Sequence, residues 1–422
     1  MPKKKFQIYL RLYTCLGRLL LPLFLGRLFY RSLALPAYRR HLAERFGFAR
    51  LPQHAIWVHA VSVGETKAAS PLIQSFLALG KKVALTQTTP TARKIAETML
   101  PTDSFAYLPF DDPFLTRRFI KRFQPKTLII METELWPNLL VCCHTHKIPV
   151  FVANARLSKK STRRYARFRA LTQALLPPVT IFAQSRKDAK RFQFLGARKV
   201  EITGNLKFDA QPAPDVYEKA RFFRSLIKNR FIICAASTRP GEEKILLKHL
   251  SLLSIPNLLF VIIPRHPERF AEVEDLLRKE KYIYQKRSDE SPIAPETKIW
   301  LGDSMGELYA YYGAADIAII GGSIMDFGGQ NPIEAMAMGV PVTIGPYTEH
   351  FSTIVQKALK SSAILQATSP PDLKQLIEEL FKHPEKRQQL SKNGLDFWQK
   401  EQGATRRIVE QVSNHFHECD KE

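Results

Sequence analysis

From residue 56 onward, short β-branched or apolar runs alternate with longer segments of helical composition, and this alternation limits the fold more than any other property of the chain. Ile56–Val61, Lys82–Thr88, Leu128–Met131, Val150–Ala153, Thr180–Ala183 and Val200–Thr203 read as strands with helices between them. A polar, proline-bearing patch at Asp209–Asp215 interrupts the pattern. It restarts with Phe231–Ala235, Leu258–Ile263, Ile299–Leu301, Ile317–Ile320 and Val340–Ile344. Strand and helix in strict turn require parallel sheets covered on both faces. The expected class is therefore α/β, with two Rossmann-like doubly wound domains and ligand sites where loops leave the strands' carboxyl ends. A length of 422 residues agrees, since one core rarely serves so long a chain.

The first forty residues stand apart. Lys3, Lys4 and Lys5 precede an apolar, aromatic stretch broken by Arg11, Arg18, Arg27 and Arg31, whose longest charge-free piece is Leu19–Gly26. A spanning helix needs about 20 apolar residues. The segment instead suits a helix lying in the headgroup region with its arginines snorkelling, or a helix packed on its own domain. No small-residue cleavage site follows it. A net charge of +24 favours phosphate-bearing partners or an anionic membrane surface. No nucleic-acid module or aromatic-interleaved basic stripe is present, so nucleic acid is not an expected partner. The five cysteines fit neither a disulfide framework nor a zinc site, which implies a reducing compartment.

Ile317–Gly345 reads as strand, glycine loop, helix, strand, a candidate pocket for a phosphate or nucleotide, because glycines admit a ligand to the backbone and free helix N–H groups attract anions. Plain loop chemistry explains the same residues. Asn331 to Glu334 has the spacing of a capping box, as do Ser62 to Glu65 and Ser304 to Glu307. Capping alone accounts for each glutamate; a functional role is also open, since the positive end of a helix favours the charged form and suits a general base. His144-x-His146 lacks partners at metal-ligand spacing, and there is no Asp-x-Asp pair, G-x-S-x-G elbow or P-loop. No metal site is expected.

HAVSVGETKAASPLI, METELWPNLL, NARLSKKS, TGNLKFD, AASTRPGEE, PRHPERF, GDSMGELYAYYGAAD and GGSIMDFGGQNPIEAMA occur in one order between about residues 36 and 352. In sequence and spacing they resemble the transferases of 3-deoxy-D-manno-octulosonic acid (Kdo) in lipopolysaccharide synthesis. The resemblance implies two Rossmann-like domains facing a cleft, the glycosyltransferase B fold, with an N-terminal membrane-associated helix. It implies inverting transfer of Kdo from CMP-Kdo to a lipid A precursor (lipid IVA), at the cytoplasmic side of the inner membrane, and leaves open whether several units are added in succession. The domains are then a membrane-associated segment at 1–40, an acceptor-binding domain at 41–212, a CMP-sugar donor-binding domain at 213–395 and a C-terminal helical tail at 396–422.

Carried over by motif, Glu65 is the general base, while Glu132 and Lys207 stabilise the transition state. Pro264, Arg265, Met305, Gly306, Glu307, Asn331 and Glu334 hold CMP, with Arg265 on the phosphate and Glu334 on the ribose. No metal or other cofactor is implied; CMP-Kdo is the donor substrate. Gln330 departs from the family, which usually has histidine in GGHNP, and glutamine carries no titratable charge. Arg239-Pro240 stand where His-Glu is common, and this extra cation either strengthens attraction for phosphates or is a surface arginine. The competing readings are a nucleotide-sugar epimerase on the same scaffold and a basic, non-enzymatic protein that binds membrane or nucleic acid.

Overall fold

A computed structural model describes residues 3–419. It divides into two compact units, one of residues 1–210 with 402–422 and the other of 211–401. The expected alternation is present in both. In the first unit, β1 (Ile56–His59), β2 (Val83–Gln87), β3 (Phe105–Tyr107), β4 (Thr127–Met131), β5 (Val150–Ala155), β6 (Thr180–Ala183) and β7 (Lys199–Ile202) form a parallel sheet of order β3-β2-β1-β4-β5-β6-β7. The second unit contains β8 (Phe231–Thr238), β9 (Leu258–Pro264), β10 (Tyr284–Lys286), β11 (Ile299–Leu301), β12 (Ile317–Ile320), β13 (Val342–Ile344) and β14 (Leu365–Gln366). Its order is β10-β11-β9-β8-β12-β13-β14, again parallel throughout. Three strands are not anticipated by the sequence reading: β3, β10 and β14. All three lie at sheet edges and are two or three residues long, too short to carry a pattern.

Residues of the central strands are buried on both faces, as a parallel sheet between helices demands. One face of the first sheet packs Trp57 against Phe119 and Phe123, with ring centroids 5.1 and 5.6 Å away. The other face is completed by the last helix, Ala404–Cys419, whose Ile408 and Val412 join Leu72, Ile73 and Phe76 in the core. Asp209 fixes the start of that helix by accepting the N–H groups of Gly403 (2.7 Å) and Thr405. The helix Ala404–Cys419 is thus part of the first unit.

The N-terminal segment is one helix, Lys3–Ala34, with Pro22 inside it. One face lies on the first unit: Thr14 Oγ1 donates to Asn138 Oδ1 (3.1 Å), Arg18 pairs with Asp112 (2.7 Å), and Tyr9 meets Phe168 edge-on at 6.2 Å. The opposite face exposes Leu12, Leu16, Leu19 and Leu23. Among the described residues, Lys4–Ala34 is the single helix long and apolar enough to cross a membrane, with a mean hydropathy of 1.4.

Candidate active site

In the first sheet the strand order reverses at β1, which has β2 on one side and β4 on the other. Loops leaving β1 and β4 therefore flank the crevice where doubly wound sheets bind ligands. Beyond β1, Ser62 caps the helix Val63–Ala78, its Oγ accepting the Glu65 N–H at 3.3 Å. The Glu65 carboxylate accepts the Val61 N–H at 2.9 Å and the Ser62 hydroxyl at 3.0 Å. The box forms, but the carboxylate reaches Val61 instead of the Ser62 N–H. Thr88 Oγ1 donates to Val61 O (3.2 Å), and Arg45 Nη2 donates to Thr88 O (2.8 Å), so both brace the segment that carries Glu65.

Burial pushes the Glu65 carboxyl up to about 7; hydrogen bonds from Val61 and Ser62 oppose this, while the charges of Glu132 and Glu134 reinforce it. This corrects the expectation that the helix terminus would favour the ionised form. Glu65 is only 9% exposed and shares its surroundings with two further carboxylates, which together outweigh a partial charge at the helix end.

Glu132 follows β4 in a left-handed conformation (φ 57°), and its N–H donates to Ala153 O at 2.8 Å. Asn154, at the end of β5, accepts the Leu206 N–H at 3.1 Å and so fixes the short turn Leu206–Asp209 to the same edge. Asn205 accepts the Lys207 N–H at 3.0 Å within that turn. Glu65, Glu132 and Lys207 are thereby gathered at the carboxyl end of one sheet. Glu134 belongs with them: burial and then the charge of Glu132 raise its pKa. Sequence reasoning passed over it, although METELW places two glutamates one residue apart.

The second sheet reverses at β8, between β9 and β12. Beyond β8, Glu242 opens the helix Glu242–Leu250 and is fully buried. Its carboxylate accepts N–H groups from Arg239 (2.8 Å), Gly322 (2.6 Å), Ile324 (2.8 Å) and Met325 (3.3 Å). The amides of the glycine loop after β12 thus already hold an anion, the protein's own, and the loop is not the open anion pocket its composition suggests. Gly321 is required there, since a Cβ would lie 2.5 Å from Ser237 O.

The expected nucleotide contacts lie along the same edge. Pro264 ends β9; the Arg265 N–H donates to Thr238 O at 3.1 Å, and the Arg265 side chain is exposed. Met305 is 60% exposed and Gly306 has φ 82°. Ser304 does not cap the helix Leu308–Ala314; its Oγ meets Tyr311 Oη at 3.0 Å, and Glu307 itself occupies the cap position. Glu307 pairs with Arg287 (3.2 Å) and Lys219 (3.3 Å). Burial acts to raise its carboxyl, but Ser304, Arg287 and Lys219 outweigh that and hold it below the ordinary value. After β12, Asn331 Oδ1 accepts the Ile333 N–H (3.1 Å) and Nδ2 donates to Glu334 (3.3 Å), but Pro332, not Asn331, takes the cap position of the helix Ile333–Ala337. Burial, followed by the Glu334 charge, raises the Tyr309 hydroxyl, which ties the 305–309 segment to Glu334. Arg239 is half-buried, with Nη1 2.7 Å from His266 Nε2 and its guanidinium 5.1 Å from the Phe327 ring. It is built into this edge, which excludes the simple surface-arginine reading.

Residues 40–210 match the family described as 3-Deoxy-D-manno-octulosonic-acid transferase (kdotransferase), and residues 222–397 match Glycosyl transferases group 1. The chain is 39% identical to the 3-deoxy-D-manno-octulosonic acid transferase of Haemophilus influenzae over 412 residues, 94% of this chain and 96% of that protein. To the enzyme of the same name from Bordetella pertussis it is 36% identical over 375 residues, covering 85% and 87%. The crystal structure of UDP-GlcNAc 2-epimerase from Neisseria meningitidis bound to UDP-GlcNAc aligns with a TM-score of 0.59 at 16% identity, covering 85% of this chain and all of that one, a likeness of fold.

Proposed function

Because the chain belongs to the 3-deoxy-D-manno-octulosonic acid transferase family and is a glycosyltransferase of the B fold class, we propose that it moves Kdo from CMP-Kdo to a lipid A precursor, lipid IVA, with inversion. The acceptor hydroxyl oxygen bonds to the anomeric carbon of Kdo, the bond from that carbon to the phosphate oxygen breaks with its electron pair going to CMP, and Glu65 takes the hydroxyl proton. The observation that carries this reading is the Glu65 carboxyl, raised to about 7 where the strand order reverses. A base matched to neutral pH contributes about 10²–10⁴-fold. Glu132 faces the oxocarbenium character that develops on the sugar, and Lys207 faces the Kdo carboxylate or the departing phosphate.

Arg265 binds the donor phosphate; Pro264, Met305, Gly306, Glu307, Asn331 and Glu334 complete the nucleotide contacts. Glu307 is committed to Arg287 and Lys219, so its share falls to the backbone of the Met305–Glu307 turn. Glu334, held by the Asn331 amide, meets the ribose hydroxyls. Side chains meet the donor's charge in this scheme, and it calls for no metal or other cofactor.

The protein works at the cytoplasmic side of the inner membrane, attached through the N-terminal helix. That helix lies on the surface and does not span it, because Thr14 and Arg18 near its middle are bonded to the first unit while Leu12, Leu16, Leu19 and Leu23 face outward. In isolated membranes, Thr14→Cys paired with Asn138→Cys should cross-link; a spanning helix leaves the pair unlinked.

Incubating the protein with CMP-Kdo and lipid IVA, followed by mass spectrometry of the lipid, tests the function. Mass added in steps of one Kdo supports it and counts the successive transfers. An unchanged lipid, or conversion of a UDP-sugar without any lipid acceptor, contradicts it.

A further inference from the structure

The amides of Gly322, Ile324 and Met325 are all taken by Glu242, so these three are closed to a ligand and full positive charge on the second sheet's edge comes from side chains. Two arginines there are neutralised within the protein: Arg269 by Glu243 (2.7 Å) and Glu272 (3.0 Å), and Arg287 by Glu307 (3.2 Å). Arg239 and Arg265 differ. Among the described residues neither forms an ion pair with a carboxylate. They leave the neighbouring strands β8 and β9, and the Arg265 N–H is bonded to Thr238 O, the residue before Arg239.

The support of Arg239 is specific. Its backbone N–H is fixed by Glu242, its Nη1 donates to His266 Nε2 at 2.7 Å, and its guanidinium covers the Phe327 ring. An arginine only donates, so His266 accepts through Nε2. Burial, then the charges of Arg265 and Arg239, lowers the histidine's proton affinity and keeps it neutral. A neutral acceptor orients a guanidinium without cancelling its charge, which a carboxylate would do. Gly322 lies between the two departures from the family motifs, since a Cβ there would be 3.0 Å from the Gln330 amide and 3.4 Å from Arg239 Cγ.

We propose that Arg239 is a phosphate-binding residue of the donor site, acting with Arg265 on the phosphate of the cytidine nucleotide, and that His266 positions it. The assignment rests on the donor reading above. In the donor the phosphate is a diester with one negative charge; when its bond to the anomeric carbon breaks, the oxygen keeps the electron pair and CMP leaves as a dianion. Two guanidinium groups without acid partners match that gain in charge, and their forked N–H groups fit phosphate oxygens.

Calorimetric titration of CMP and of cytidine into the wild type, Arg239→Gln and Arg239→Lys tests this. Arg239→Gln should weaken CMP binding by about tenfold to a hundredfold, the loss of a charge-assisted contact, while cytidine binds as before. Arg239→Lys should recover part of the loss, and donor KM should rise together with a fall in kcat in Arg239→Gln. CMP affinity unchanged in Arg239→Gln, or CMP and cytidine weakened by the same factor, overturns the assignment. A wild type that binds no CMP removes the donor reading itself and this inference with it, a result distinct from a wild type that binds and a variant that is unaffected.

Discussion

Glu65 and Glu242 hold corresponding places in the two units, each in the first turn of the helix that follows the strand where the order reverses. Their surroundings differ. Glu242 is fully buried and accepts four backbone N–H groups, three of them from a loop about eighty residues away. Glu65 accepts one N–H and one hydroxyl, is slightly exposed, and faces Glu132 and Glu134. One topological position thus holds a strut where its lone pairs are filled and, in the proposed mechanism, a base where they are not. The edges also differ in charge: Glu65, Glu132 and Glu134 gather in the first unit, while in the second Arg239 and Arg265 form no ion pair with a carboxylate among the described residues.

The largest effect that distinguishes these glutamates is on chemistry. Glu65→Gln should lower kcat by about 10²–10⁴-fold, with CMP affinity unchanged in calorimetry. Loss of CMP binding in this variant would break the division of roles. Glu242→Gln should act in the opposite way: an amide cannot accept all four N–H groups, and unsatisfied buried donors should cost about 2–4 kcal/mol of stability, read as a lower midpoint in urea unfolding. A stably folded Glu242→Gln that has lost only turnover would make Glu242 a second functional carboxylate. Ser62→Ala sharpens the comparison with the smallest change. Loss of the cap should destabilise by about 1 kcal/mol. Because the Ser62 hydroxyl lowers the Glu65 pKa, its removal should also shift the acidic limb of the rate profile to higher pH.

Much of this was legible in the sequence. The central strands and the two-unit division follow from periodicity, and the grouping of Glu65, Glu132 and Lys207 from the resemblance to the family. Three edge strands, β3, β10 and β14, were not legible, because two or three residues at a sheet edge carry little pattern. The role of Glu242 was hidden as well: its partners, Gly322 to Met325, lie in another βα unit, and no local rule links them. The same distance made the glycine loop look like an open anion site. The direction of the Glu65 shift was missed because the capping box shows the helix end, whereas burial and the Glu132 charge arise only when β1 and β4 pair. The sequence leaves Arg239 open to two readings, and its contacts with His266 and Phe327 decide between them.

The pH dependence of kcat/KM for Kdo transfer, in the wild type and in Glu132→Gln, is the most direct test of the account. A base must be ionised to accept a proton, so a raised pKa removes activity on the acid side. The wild type should therefore lose activity below about pH 7. In Glu132→Gln the limb should move to lower pH, since the charge that raises Glu65 is gone, whatever the loss in absolute rate. A wild-type limb at the ordinary glutamate value of 4.5, or a limb that stays in place when Glu132 is neutralised, would contradict a buried Glu65 base set by its neighbouring carboxylates.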